Sequence, residues 1–533
     1  MIFSWLRVIK AWLCPILKGM ANAWNELPND VETLKRMLVG KDELIASLTA
    51  EVMRLRRVNY GRSAERIDPD VQPQLPLNGL PAAEPAAARP VETIPAEDST
   101  QTSAQPRARR RRIRALPAHL PRRIIVHAPA SCNCPDCGAQ MRQLGEDVSE
   151  MLNFVPGYFE VLRHVRPKLS CGVCSRIVQE PAPSRPIVRG LPTAAMMAQV
   201  MVSKYSDHCP LYRQQAIYRR AGVDLDRATM ASWMGDGSEL LDPLVAALGR
   251  YVRSAEKLHG DDTPVPVLEP GRGRTRTARL WTYVRDDRPS GSLDPPAVWY
   301  RYSPDRRGRH PQDHLAGYRG ILQADGFAGY GELYKDGRVI EAACVAHARR
   351  KFYDLYVADH SPLAKEAIRR IGQLYAIERE IRGQAPHVRR AVRQERSAPI
   401  LTDLHAWLTA TLQTVSAKSP IAGAIRYSLV RWAALSRFCE DGRIEIDNNT
   451  AERAIRSVVL GKKNYLFMGA DTGGERAANI YSLIATCLLN KIDPYAYLQY
   501  VLERIAEHRI NRIDELLPWN VAPLLGGTLR QAA

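Results

Sequence analysis

Residues 258–268 read LHGDDTPVPVL, an apolar run rich in β-branched residues, into which two adjacent acids, Asp261 and Asp262, are set. Two more short β-rich runs follow, Leu280–Arg285 and Val298–Tyr302, with the turn former Asp287-Arg288-Pro289-Ser290-Gly291 between them, and the pattern predicts a strand meander. A helix is expected near Pro311–Tyr318. After it, Gly320-Ile321-Leu322-Gln323-Ala324-Asp325-Gly326 supplies a fourth strand that ends in an acid and a glycine. Asp261 and Asp325 therefore both sit on, or terminate, apolar strands. Two carboxylates 4 Å apart repel by roughly 4 kcal/mol at an effective dielectric near 20, so a cation is expected between them. Magnesium (or manganese) is hard, takes oxygen ligands and suits phosphoryl transfer, in which a pair of ions can assist both the attacking and the leaving oxygen.

A third acid is available in residues 445–456, EIDNNTAERAIR, which read as a turn opening a helix. Asn449 and Glu452 share a face at i, i+3. Two readings stand side by side here. Asn449 as N-cap with Glu452 three residues later is a capping-box-like start, with Glu452 and Arg456 as an i, i+4 pair; alternatively, Glu452 completes a metal site with the two aspartates.

The whole chain of 533 residues is long enough for three or four structural units. With 75 Lys+Arg against 57 Asp+Glu, its formal charge of +18 attracts a polyanion. The ten cysteines are too scattered for a secreted disulfide scaffold and suit a reducing cytosol. Ile2–Leu17 is apolar but interrupted by Arg7 and Lys10, so it reads as an amphipathic helix and no membrane association is expected. From Val31, the positions Val31, Leu34, Leu38, Ile45, Leu48, Val52 and Leu55 alternate in steps of three and four, broken by Lys41, which is a heptad seam. Residues 68–106 are rich in Pro, Ala, Gln and Glu and lead into a basic run from Arg107 to Arg114, a disordered linker with a basic tail.

Cys134-Pro135-Asp136-Cys137 and Cys171-Gly172-Val173-Cys174 offer four thiolates, the tetrahedral set of structural zinc, with Cys132 as a spare ligand. Strand-like alternation lies between them, around Tyr158–Val165. Further on, Pro210–Arg220, the turn Ala221-Gly222-Val223 and a second short helix Asp226–Met234 resemble a helix-turn-helix, with Arg213, Arg219, Arg220 and Arg227 beside the turn as candidate DNA contacts. An ordinary helical hairpin has the same pattern. Ile368, Ile371, Leu374, Ile377 and Ile381 recur at helical spacing and mark a helical insertion. Arg349, Arg350, Lys351, Lys462 and Lys463 are basic groups suited to DNA phosphates. His259 is expected to shape the strand end beside Asp261. Tyr465 and Tyr481 lack the Arg-His set that a tyrosine recombinase needs.

From residue 27 to Trp519 the chain is similar to the transposases of the bacterial insertion-sequence family IS66. The likeness is carried, in order, by Tyr60-Gly61-Arg62-Ser63, the paired C-x-x-C, Ser203-Lys204-Tyr205, Gly260-Asp261-Asp262-Thr263-Pro264, Gln323-Ala324-Asp325-Gly326, Cys344-x-x-His347-x-Arg349-Arg350-Lys351-Phe352 and Asp447-Asn448-Asn449-x-x-Glu452-Arg453. This resemblance implies a ribonuclease-H-like catalytic core with a DDE triad, carried onto Asp261, Asp325 and Glu452. The chain departs from the family where Asp262 stands in place of the common Glu, and residues 1–20 have no evident counterpart.

The expected architecture is multidomain α+β. An N-terminal extension (1–26), a coiled coil (27–67), a disordered basic linker (68–121), a zinc-finger domain (122–182) and a helix-turn-helix region (190–250) precede an α/β core (251–480). That core carries a helical insertion at about 360–440, and a C-terminal helical region (481–533) closes the chain. The expected function is that of a cytoplasmic DNA transposase, dimeric through its coiled coil, which binds terminal inverted repeats, cleaves element ends and joins 3′-hydroxyls to target DNA. Accessory proteins of the same element are candidate partners. A catalytically inactive DNA-binding regulator and a ribonuclease-H-like nuclease are the rival readings.

Overall fold

The structure, a computed structural model, describes residues 30, 32–33, 35, 40–42, 44, 116, 118, 120–128, 133, 139–155, 157–187 and 190–525. The extension 1–26, the apolar seam residues Val31 to Leu55, the basic run Arg107–Arg114 and the cysteines Cys132, Cys134 and Cys137 lie outside the described residues. At the head of the heptads, the Asp30 carboxylate accepts the Thr33 amide at 2.9 Å and its hydroxyl at 2.7 Å, which is N-cap chemistry. Among the described residues no helix is long and apolar enough to cross a membrane.

The described residues of Leu75–Ala342 with Asn448–Ala533 form one compact unit, and those of Met1–Gln74 with Ala343–Asp447 a second. In the first, β1 (Arg122–Val126), β2 (Met141–Val155), β3 (Tyr158–Cys171) and β4 (Ile177–Gln179) make one sheet in which β3 pairs with all the others, parallel to β1 and antiparallel to β2 and β4. Gly157, at φ +105°, turns β2 into β3. Three helices follow: α1 (Ala194–Tyr205), α2 (Leu211–Arg220) and α3 (Arg227–Arg253). Thr193 caps α1 by accepting the Met196 amide at 3.1 Å.

The expected short second helix of the helix-turn-helix is corrected here, because α3 runs 27 residues through Gly235, Gly237 and Pro243. The glycines that look like breakers are close-packing positions. A Cβ on Gly237 would lie 2.4 Å from the Met201 methyl. The helix buries Met230, Trp233, Met234, Leu241, Leu244 and Leu248, so its length follows from core packing.

A second sheet has the order β7-β6-β5-β8-β9, built from β5 (Lys257–Val267), β6 (Arg276–Arg285), β7 (Ala297–Ser303), β8 (Gly320–Ala324) and β9 (Val339–Ala343). The meander β5-β6-β7 is antiparallel, while β8 joins β5 in parallel. The helix expected at Pro311–Tyr318 is α4, Arg309–His314. Three longer helices follow in this unit: α5 (Asn449–Tyr465), α6 (Asp471–Leu489) and α7 (Pro494–Arg504).

The edge strand β7 needs partners for its outer amides. Helix α6 supplies them from side chains: Ser482 Oγ accepts the Tyr300 amide at 2.8 Å and Thr486 Oγ1 accepts the Val298 amide at 3.1 Å. The boundary expected at 481 falls within α6, just before Ser482. Inside, Trp281 is fully buried and its indole N–H donates to Ser303 Oγ at 2.7 Å.

The second unit is helical, with Val345–Asp359, Pro362–Glu380, Pro386–Val392, Ala398–Thr414 and Pro420–Val430 as its main helices. The stretch expected as a helical insertion at about 360–440 lies within this unit, whose later segment is Ala343–Asp447. Ile368, Ile371, Leu374, Ile377 and Ile381 are all buried in it. Its interior also holds two arginines: Arg393 donates to Glu378 at 2.6 Å and Arg389 to Glu445 at 2.9 Å, paired as buried charges must be.

Candidate active site

Strand register brings the first two acids together. His259 of β5 stands opposite Gln323 of β8 in the parallel ladder, and Asp261 and Asp325 each lie two residues farther on. A step of two returns a side chain to the same face, and paired strands run about 4.8 Å apart, so the two carboxylates project from neighbouring positions on one face. The chain must then leave β8 sharply. Asp325 Oδ1 accepts the Phe327 amide at 3.0 Å across Gly326, whose φ of +77° suits glycine.

Glu452 arrives on α5. The N-cap of that helix is Asn448, not Asn449, and its side chain makes no capping bond, so the capping-box reading of Asn449 and Glu452 is set aside. The Asn448 amide group reaches β5 instead: Nδ2 donates to the Gly260 carbonyl at 2.8 Å, and Oδ1 lies 3.0 Å from His259 Nδ1. Because the amide nitrogen is committed to Gly260, its oxygen is the acceptor, and His259 carries its hydrogen on Nδ1. His259 and Asn448 are both fully buried. One side chain thus clasps the start of the Glu452 helix to the two residues preceding Asp261.

The electrostatics register this crowding. Burial first, then the charge of Asp325, with Asp262 and Glu452 adding, push the Asp261 carboxyl up to about 8, against the Asp262 amide that donates to its Oδ1 at 2.7 Å. Asp262 has a different fate. Its carboxylate is 1% exposed and lies between two arginines, Arg279 Nη1 at 3.0 Å and Arg306 through Nε and Nη2 at 3.0 and 2.8 Å. Arg306 Nη2 also stands 3.7 Å from Asp325 Oδ2. Asn448, Arg279 and Arg306 were missed by sequence reasoning, although Asn448 lies inside a quoted motif.

The basic residues divide by environment. Lys462 donates to Thr263 Oγ1 at 2.9 Å and to the Pro264 carbonyl at 2.6 Å, so it ties α5 to β5; burial lowers its pKa, and Arg279 adds to the effect. Lys463 is exposed. Arg213, Arg219, Arg220 and Arg227 are exposed around the α2–α3 turn, with Arg213 donating to Asn464 at 3.1 Å and Arg219 paired to Asp224 at 3.1 Å. In the helical unit Arg349 is buried, whereas Arg350 and Lys351 are exposed and Lys351 stacks 4.4 Å from the Tyr427 ring centre. Tyr465 and Tyr481 share a 2.7 Å hydroxyl bond and burial raises both pKa values, the opposite of an activated nucleophile.

Of the four zinc candidates, Cys171 and Cys174 are described. They flank a tight turn in which the Cys174 amide donates to Cys171 Sγ at 3.5 Å. Ser175, at φ +57°, closes the turn by donating its amide to the Cys171 carbonyl at 3.0 Å.

The chain matches the family described as Transposase IS66 family over residues 189–476, the IS66 C-terminal element over 482–519, the zinc-finger binding domain of transposase IS66 over 131–175 and the Transposase C of IS166 homeodomain over 47–125. The last match overlaps the stretch read as coiled coil and linker. The chain is 40% identical to the uncharacterised protein y4hP of Sinorhizobium fredii (strain NBRC 101917 / NGR234), covering 92% of this chain and 91% of that one. It is 39% identical to y4jD of the same organism, covering 93% and 97%. Matched over more than half its length as a family and over nearly all of it by relatives, the chain belongs to the IS66 family of transposases.

Proposed function

We propose that this transposase hydrolyses one DNA strand at each element end and joins the freed 3′-hydroxyl to target DNA, with Asp261, Asp325 and Glu452 as ligands of divalent cations. The observation that carries the reading is the shared register of Asp261 and Asp325, together with the clasp by which Asn448 fastens the Glu452 helix to the same strand. The order β7-β6-β5-β8-β9, with β6 antiparallel and β8 parallel to β5, supports a ribonuclease-H-like core.

The donors are all carboxylate oxygens, and burial, followed by the charge of Asp325, raises the Asp261 carboxyl. Such a set fits magnesium or manganese. A bound divalent ion supplies Lewis acidity and charge neutralisation for in-line displacement at phosphorus. The protein's own contribution is placement. Asn448 and His259 hold the Asp261 segment against α5, and Arg279 and Arg306 occupy both oxygens of Asp262, which keeps that acid out of the ligand set. Arg306, at the rim and within reach of Asp325, is placed to meet phosphate charge.

End recognition is assigned to a zinc module held by Cys134, Cys137, Cys171 and Cys174, and to the exposed Arg213, Arg219, Arg220, Arg227, Lys463, Arg350 and Lys351. Pairing of protomers into a dimer is assigned to residues 27–67. The test is a strand-transfer assay on DNA carrying the element's own termini. Magnesium-dependent nicking and joining are expected. Cutting without joining would point to a nuclease, and binding without cutting to a regulator; either result refutes this reading.

A further inference from the structure

Ser203-Lys204-Tyr205 is a motif that the carboxylate site does not use. Lys204 lies in the last turn of α1, half-buried, with its ammonium 4.9 Å from the Tyr205 ring centre and 6.0 Å from that of Tyr465. Tyr205 meets Tyr481 edge-on at 4.9 Å. Arg476 of α6 lies close enough to act electrostatically on both Lys204 and Tyr205. Its guanidinium rests on Gly235 of α3, where an added Cβ would come within 2.6 Å of the guanidinium carbon.

Other cations of this unit that are withdrawn from solvent are matched by acceptors: Lys257 has Asp287 at 3.2 Å, Arg279 has Asp262 at 3.0 Å, and Lys462 has Thr263 Oγ1 at 2.9 Å and the Pro264 carbonyl at 2.6 Å. Among the described residues, Lys204 and Arg476 have none. Burial holds the Lys204 ammonium down to about 8, and the neighbouring Arg476 charge adds to the effect. Arg476 is exposed, so the pair is open to solvent on that side. A half-buried ammonium set against two aromatic rings, with an exposed guanidinium on the neighbouring helix near enough to act on it, suits a tetrahedral oxyanion.

We propose that Lys204 and Arg476 form an anion site that takes one backbone phosphate of bound DNA, remote in function from the carboxylate cluster and serving to fix the position of the duplex. This rests on the transposase reading for the presence of DNA. Phosphate contacts position a duplex without reading its sequence, so the site would hold both element and target DNA.

The test measures affinity of the full-length chain for a duplex of arbitrary sequence across a range of sodium chloride concentrations. Each lost phosphate contact flattens the plot of log affinity against log salt by about one. Lys204→Met and Arg476→Gln should each weaken binding several-fold at low salt, and together they should flatten the slope by about one, while Arg476→Lys restores most of it. Gly235→Ala displaces only the end of a flexible arginine, so it tests the site in a protein that keeps its fold, and it should resemble Arg476→Gln. An unaltered slope in both the double variant and Gly235→Ala, with wild type binding DNA normally, overturns the phosphate site and leaves the transposase reading intact. If inorganic phosphate at matched ionic strength stabilises the wild type and not Arg476→Gln while the DNA slopes agree, the site is one for free anions and the DNA assignment fails. Wild-type protein that binds no duplex at all overturns both.

Discussion

Replacing Asn448 by alanine should damage folding and chemistry together. The substitution removes the bond from Nδ2 to the Gly260 carbonyl and the bond from His259 Nδ1 to Oδ1, both buried. A buried hydrogen bond contributes about 1 kcal/mol net, and a partner left unsolvated costs about 1–3 kcal/mol, so the expected loss is roughly 2–4 kcal/mol. Urea unfolding followed by tryptophan fluorescence reads this, since Trp281 and Trp299 lie in the sheet beside β5. Catalysis should fall further than stability explains. The clasp sets the distance between Glu452 and Asp261, and a displacement near 1 Å at reacting groups costs about 100-fold in rate. Nicking is therefore to be measured at a temperature and urea concentration where wild type and variant are both folded. Asn448→Asp offers a sharper comparison: it keeps an acceptor for His259 but loses the donor to Gly260 and sets a charge near Asp261, so it should be no better than alanine. If Asn448→Ala stays within about 0.5 kcal/mol of wild type, on the scale of a neutral surface change, and nicks at the wild-type rate, the clasp does not organise this site.

Asp261→Asn, Asp325→Asn and Glu452→Gln should each abolish magnesium-dependent nicking while retaining DNA binding, and should remove the rise in melting temperature that magnesium gives wild type; a variant that keeps both is not a ligand. The Asp261 carboxyl, raised to about 8 in the folded protein against roughly 3.9 in an unfolded chain, binds its proton more tightly in the native state. Metal-free stability should therefore fall as pH rises between those values, by at most about 1.4 kcal/mol per pH unit before solvent screening of this partly buried group. Asp261→Asn should flatten the profile, which denaturation at a series of pH values will show. Elemental analysis should find one zinc per chain, lost in Cys171→Ser and Cys174→Ser together with specific end binding; a folded zinc module without metal would contradict the four-cysteine assignment. Light scattering should find wild type self-associated at micromolar concentration and the Leu34→Asp, Leu48→Asp, Val52→Asp triple variant monomeric, and a monomeric wild type would rule out the coiled coil.

The strands β5, β6 and β7 were legible because alternation and turn residues are local signals, and Asp325-Gly326 announced the end of β8 in the same way. What escaped depends on long-range pairing. Asn448 meets Gly260 across 188 residues, and nothing in residues 445–456 shows that its amide faces a strand instead of its own helix. Arg279 pairs with Asp262 because β6 runs antiparallel to β5, and Arg306 reaches it from the loop after β7. The end expected for α3 at Met234 failed because Gly235 and Gly237 look like punctuation until Arg476 and Met201 are seen against them. Lys462 illustrates the same limit, since a surface cation and a strand tie have one spelling.

The covering of β7 by α6 has a consequence for synthesis of the chain. The amide of Val298 waits for a hydroxyl 188 residues downstream. At about 5–20 residues per second, the ribosome needs roughly 10–40 s to supply it. During that interval the nascent sheet has a bare margin able to pair with another nascent chain, and the whole helical insertion is translated before the cover emerges. Messages truncated within the insertion would yield a permanently open margin as well as two acids without the third, so such fragments should be insoluble and inert rather than unregulated cutters.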